Sequence, residues 1–171
     1  MAGWSLDGNR VRALLAAAGP ACAGAAIGAP FGLAQAATEA ALLPAVIVGV
    51  AAATFPALYV GLSLFRCAPP TRELVAAGGR ALGATGMLLL GLTPALLFLL
   101  LTADEPARVL ALCAIPAVAI SAVLGLRALF SSIVENWRQR LLLLPLTAVW
   151  STVVLGLGAY FFLQPLWALL G

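Results

Sequence analysis

Charged positions along the chain are few and bunched, and between the bunches run four long apolar stretches, residues 42–65, 81–102, 107–130 and 141–163. Each is 22–24 residues long, against the ~20 residues that cross a ~30 Å hydrocarbon core at ~1.5 Å per residue. Apolar residues occupy the whole circumference of these segments rather than one face, which is the pattern of helices solvated by lipid. The pattern predicts four spanning helices.

A fifth segment, residues 11–34, consists mostly of Ala and Gly and contains Pro20 and Pro30. It reads as a retained span packed inside the bundle, as a cleaved signal in which Arg10 and Arg12 precede a short apolar run, or as a re-entrant pair of half-helices broken at Gly19-Pro20. The retained span is preferred, because the apolar run is short for a signal and the glycine spacing described below has a packing use. The expected fold class is all-α: a polytopic transmembrane helix bundle of about five spans, with residues 1–171 forming a single integral membrane domain and no soluble domain.

Composition agrees. Of 171 residues, 64% are hydrophobic and 9% charged, whereas soluble domains carry about 25% charged residues. All nine basic residues are Arg, and His is absent. With five spans, eight of the nine Arg fall on one side of the membrane and only Arg108 on the other. The positive-inside rule then places the N-terminus in the cytoplasm and the C-terminus outside. Aromatic rings sit where interfacial anchors belong, Phe65, Phe130 and Trp137 at the inner boundary and Tyr160, Phe161, Phe162 and Trp167 at the outer one. Arg127, about one turn inside its span, is close enough to the interface to snorkel. Between spans, residues 66–80 form a loop in which Thr71 is placed to cap a short helix after Pro69-Pro70, and residues 131–140 suit an interfacial helical segment.

The most distinct local motif is Gly24-x3-Gly28-x3-Gly32. Residues four apart share a helical face, and three glycines there let a neighbouring backbone approach closely. Packing within the chain is the first reading, a dimer interface the second and a ligand lining the third. Pro56, Pro94 and Pro116 fall well inside their spans, where each removes a backbone hydrogen bond and is expected to kink its helix. The hydroxyls of Thr54, Ser63, Thr85, Thr93, Ser121, Thr147, Ser151 and Thr152 are expected to bond carbonyls of the preceding turn. No ionisable residue is expected at mid-depth, which argues against proton-coupled transport.

Catalysis has little to build on. Without His or Lys, and with Cys22, Cys67 and Cys113 scattered singly, neither a metal-ligand spacing nor a nucleophile–base pair is present. Asp104-Glu105 reads as a solvated turn. No catalytic residue, cofactor or metal is expected, and nucleic acid is not an expected partner, because the Arg residues are spread along one membrane face.

The segments GPACAGAAIGAPFGLAQAATEAALLP, FPALYVGLSLF, GLTPALLFLL and YFFLQPLWALLG, in a five-span layout with short loops, resemble bacterial multi-span relatives of the Ypt-interacting-protein (Yip) family. The resemblance implies a five-span bundle and carries over no catalytic residue. Two functions are then expected. The first is a non-enzymatic scaffold or accessory subunit, packing against itself or other membrane proteins within the lipid bilayer. The second is a small channel or carrier for a neutral or lipid-like solute. The abundance of Ala, Gly, Arg and Pro with no Lys points to a GC-rich bacterial genome, and so to the cytoplasmic membrane.

Overall fold

The computed structural model describes residues 4–65, 68–133 and 137–170, without the side chains of 4–10, 12, 15, 107, 111, 137–142, 144 and 162–170. Cys67 and Arg66 lie outside the described residues. The described chain is helical, with no strand among the described residues. Helix α1 spans Trp4–Gly28, and a 3-10 turn, Ala29–Phe31, leads into α2, Leu33–Leu64. Helix α3 covers Thr71–Thr102 and α4 Pro106–Val109; a π-helical turn, Leu110–Ala114, joins α4 to α5, Ile115–Ile133. Helix α6 runs from Trp137 to Leu170. Among the described residues, three segments are long and apolar enough to cross a membrane, Leu33–Leu64, Thr71–Thr102 and Leu112–Ile133. Shorter apolar stretches, Ala16–Phe31 and Pro145–Phe161, lie in the α1 region and in α6.

Several helix ends depart from the hydropathy pattern. Helix α3 starts ten residues before its apolar stretch, so the short helix expected after Pro69-Pro70 is present but continuous with the span. Pro70 is its N-cap, with extended dihedrals and no side-chain cap bond; its carbonyl accepts the N–H groups of Glu73 at 2.9 Å and Leu74 at 3.1 Å. Thr71 is therefore the first helical residue rather than a cap. Leu74, Ala77 and Gly78 are buried, and that tertiary contact extends the helix where hydropathy alone ends it. Helix α2 likewise begins at Leu33, not at residue 42. At 32 residues each, α2 and α3 are ~48 Å long and cross a ~30 Å core only with tilt or overhang. Helix α1 runs unbroken through Gly19-Pro20, which removes the re-entrant reading.

The helices close into a ring. Helix α1 packs against both α2 and α3, α3 against α5, and α6 against α2 and α5. Lipid solvates apolar side chains as well as protein does, so association rests on close van der Waals contact, and small residues sit at the crossings. A Cβ on Gly19 would overlap the Gly86 carbonyl of α3, and one on Gly24 the Glu39 carbonyl of α2. At Gly28 it would lie 2.6 Å from the Ala36 Cα. The lower half of the ring repeats the device, with Gly125 against Thr85 and Gly61 against Leu146.

Gly32 departs from the glycine stripe. It lies beyond the end of α1 with φ +108°, a conformation that L side chains rarely adopt, and a Cβ there would meet nothing. Its role is to turn the chain into α2, whose first bond runs from the Ala36 N–H to the Gly32 carbonyl at 2.9 Å.

Two clusters fill the ring. The upper one, beside the turns at 29–32 and 103–105, joins Ala23, Ile27, Leu43, Leu89, Leu100 and Leu110. The lower one joins Leu58, Leu62, Leu74, Leu129, Leu143 and Trp150. Helix α6 contributes only to the lower cluster among the described residues. Substituting Leu for Gly19 or Gly24 is expected to lower stability by about 1–3 kcal/mol through overpacking. Gly91→Ala, whose Cβ enters open space, should raise it by up to about 1 kcal/mol. Thermal unfolding in detergent, followed by helical circular dichroism, measures both.

Candidate functional site

Between the two clusters lies a cavity of about 330 Å³, walled by α2, α3, α5 and α6. Val50, Leu89, Val118, Leu126 and Val154 are typical of its lining. Two polar side chains reach it, and both are committed elsewhere. The Thr85 hydroxyl faces the Ala81 carbonyl at 3.1 Å and the Ser121 carbonyl at 3.4 Å. The Trp150 indole N–H donates to the Thr54 carbonyl at 3.0 Å, and its ring stands edge-on to Phe130 with centroids 5.7 Å apart. The walls therefore present hydrocarbon, and a polar solute inside would find no free partner.

The in-span hydroxyls satisfy themselves locally. Thr54, Ser63, Thr93, Ser121 and Thr152 each donate to the carbonyl four residues back, at 2.7–2.9 Å. Such bonds neutralise a hydroxyl without tying it to a ligand. The exposed Asp104-Glu105 turn holds one ion pair, Glu105 to Arg108 at 3.1 Å, of the solvated kind worth little stability. Among the described residues no three His, Cys, Asp or Glu side chains come together. Cys22 is exposed and Cys113 half-buried.

The three inner prolines turn away from the cavity. Pro56, Pro94 and Pro116 are all exposed on the outer surface, although Phe55 and Ile115, beside two of them, line the cavity. Pro116 has a specific structural consequence. In a regular helix its ring clashes with the carbonyl four residues back, and here a wide π-turn immediately precedes it, with the Ile115 N–H bonded to the Leu110 carbonyl. Of the proposed interfacial anchors, Tyr160 is exposed and edge-on to Phe161 at 5.5 Å. The side chains of Trp137 and Trp167 lie outside the described residues.

Glu39 is the residue that sequence reasoning missed. Placed by hydropathy outside the spans, it is 1% exposed, under the contact of α1 with α2 that Gly24 makes possible. Gln35 Nε2 donates to its Oε1 at 2.9 Å. The Gln35–Glu39 spacing of four, on a helix facing a glycine stripe, was the available signal. A second hollow of about 520 Å³ lies between α1, α2 and α3, bordered by Ala13, Ala17, Val48, Gly79 and Arg80.

No protein-family model matches the chain, and no curated protein or solved structure matches it either. The expected resemblance to the Yip family thus gains no support from these comparisons.

Trp150→Phe keeps the ring and loses the bond to Thr54, and should cost about 1 kcal/mol; Trp150→Ala should cost about 3–5 kcal/mol. Equilibrium unfolding in mixed micelles distinguishes the two. In the same assay Glu39→Gln, which keeps an acceptor for Gln35 and carries no charge, should leave stability at or above the parent value. Glu39→Lys should lower it by about 3 kcal/mol or more, as an unpaired buried charge does.

Proposed function

We propose that the chain is a non-enzymatic integral membrane protein, a scaffold or accessory subunit that works by packing helices against a second copy or another membrane protein. The observation that carries this reading is a stripe of small residues on the outer face of α2. Ala41, Ala45, Gly49, Ala53 and Ala57 recur every four residues and are all exposed. Such a surface admits another helix to close contact, which is what drives helix association in lipid. The glycine face of α1 is not free for this purpose, because Gly24 and Gly28 are covered by α2.

The proposed topology has five spans, a cytoplasmic N-terminus and an outer C-terminus, in a bacterial cytoplasmic membrane. Its support is the distribution of charge over the bundle. Arg72 and Arg80 belong to the lower part of α3 and Arg127 to the lower part of α5, while Arg108 stands in α4 at the upper end. The alternative, a carrier for a neutral or lipid-like solute, draws on the apolar cavity. The clusters above and below it leave hydrocarbon rather than polar groups along the bundle axis, which speaks against an ion path.

The test is oligomeric state. In a background with Cys22, Cys67 and Cys113 replaced by Ala, a cysteine at Gly49 should cross-link to itself across a dimer in vesicles. Ala53→Leu should weaken that dimer roughly tenfold, the equivalent of about 1.4 kcal/mol. A chain that stays monomeric in nanodiscs at every protein-to-lipid ratio overturns the self-association reading.

A further inference from the structure

The geometry points to a phospholipid-binding site: one acyl chain fills the cavity from the side, between α5 and α6, while the lipid phosphate rests on Arg127. Four observations lead there. The first is where the cavity opens. Nearly all of its lining is buried or half-buried, and the exposed lining residues are Ala119 and Val123 on α5 and Ala159 on α6. Val123 is 48% exposed. The mouth is thus in the lateral wall, facing lipid, between Ala119 and Val123 of α5 and Ala159 of α6.

The second is size. A dry protein cavity of ~150 Å³ takes up benzene, with six carbons. At about 330 Å³ the space is about twice that and suits a hydrocarbon of roughly a dozen carbons. The third is chemistry, since Thr85 and Trp150 have spent their donors on backbone carbonyls. The occupant inside must be a chain without polar groups, and any headgroup must stay outside.

The fourth is where a headgroup would stay. Ala119, Val123 and Arg127 are spaced by four on α5 and share one face. Arg127 is exposed and has no hydrogen-bond or ion-pair partner among the described residues. It lies one turn, ~6 Å along the axis, below the mouth toward the lower end. A guanidinium binds a phosphate through paired N–H donors, and a long Arg stem carries that group to the interface. A lipid with its phosphate there has its chains running up α5 past Val123, directly at the opening.

Trp150 lines the cavity and provides the reporter. The full chain, with Trp4, Trp137 and Trp167 changed to Phe, is reconstituted in vesicles containing a minor fraction of phosphatidylglycerol brominated on its acyl chains, and indole quenching is read. Gly158 lines the cavity and has open space at its Cβ position, so Gly158→Leu fills the cavity while favouring the helix. Ala122→Leu fills it from the opposite wall. Both variants should keep their helical melting transition and cut quenching at least twofold. Arg127→Gln should abolish the preference for brominated phosphatidylglycerol over brominated diacylglycerol at equal mole fraction. Equal quenching in the parent and in whichever filled variant retains its melting transition overturns the cavity as a chain site. Equal quenching by the two lipids in the parent, or stronger quenching by an added brominated free fatty acid, overturns the phospholipid assignment.

Discussion

Everything in this bundle hangs on how closely α1 can approach its two neighbours. In water a helix pair gains by hiding apolar surface; in lipid that gain is absent, and contact itself must supply the attraction. Gly19, Gly24 and Gly28 place the α1 backbone against α3 at Gly86 and against α2 at Glu39 and Ala36. A helix whose own hydropathy is weak is thereby made the joint between the long apolar helices α2 and α3. Its many Ala and Gly residues, poor as a lipid-facing surface, are well suited to that place.

Polar satisfaction is the second constraint, and it follows from the first. Where backbones come this close and water is absent, an unpaired polar group costs several kcal/mol, on the order of 2–7. Among the described residues, no buried side-chain nitrogen or oxygen lacks a partner. Hydroxyls fold back on their own helices, Trp150 crosses to the Thr54 carbonyl, and the π-turn gives Pro116 room. Glu39 is the costliest of these groups, and Gln35, one turn away on the same helix, supplies a donor to it.

The cavity lies beside a wall whose described contacts gather at its lower end. Helix α6 is held low, by Leu146 against Gly61 and by Trp150 against α2 and α5, and among the described residues it adds nothing to the upper cluster. Toward its upper half, α6 presents Leu155, Gly158 and Ala159 to the cavity, two of them too small to fill it. Glycine, which allows close packing elsewhere, here leaves empty space, since the Cβ position of Gly158 has nothing within 4 Å among the described residues.

The sequence by itself determined the helical class, the apolar stretches in the order seen and the fate of most in-span hydroxyls. Those properties are local: hydropathy is summed along a segment, and a Thr or Ser finds its carbonyl four residues back whatever surrounds it. Helix ends were less accessible to that reasoning. The starts at Leu33 and Thr71 lie well outside the apolar windows, because a helix stops where its backbone bonds and tertiary contacts stop. Gly24, Gly28 and Gly32 look alike in a spacing pattern, yet two hold a crossing and one a turn, a division made only by where α1 ends. Only the tertiary structure decided that Glu39 is covered, that Pro56, Pro94 and Pro116 face outward, and that a hollow lies between the clusters. Each of these depends on which helix lies opposite, and that is a relation between distant segments for which a single segment carries no signal.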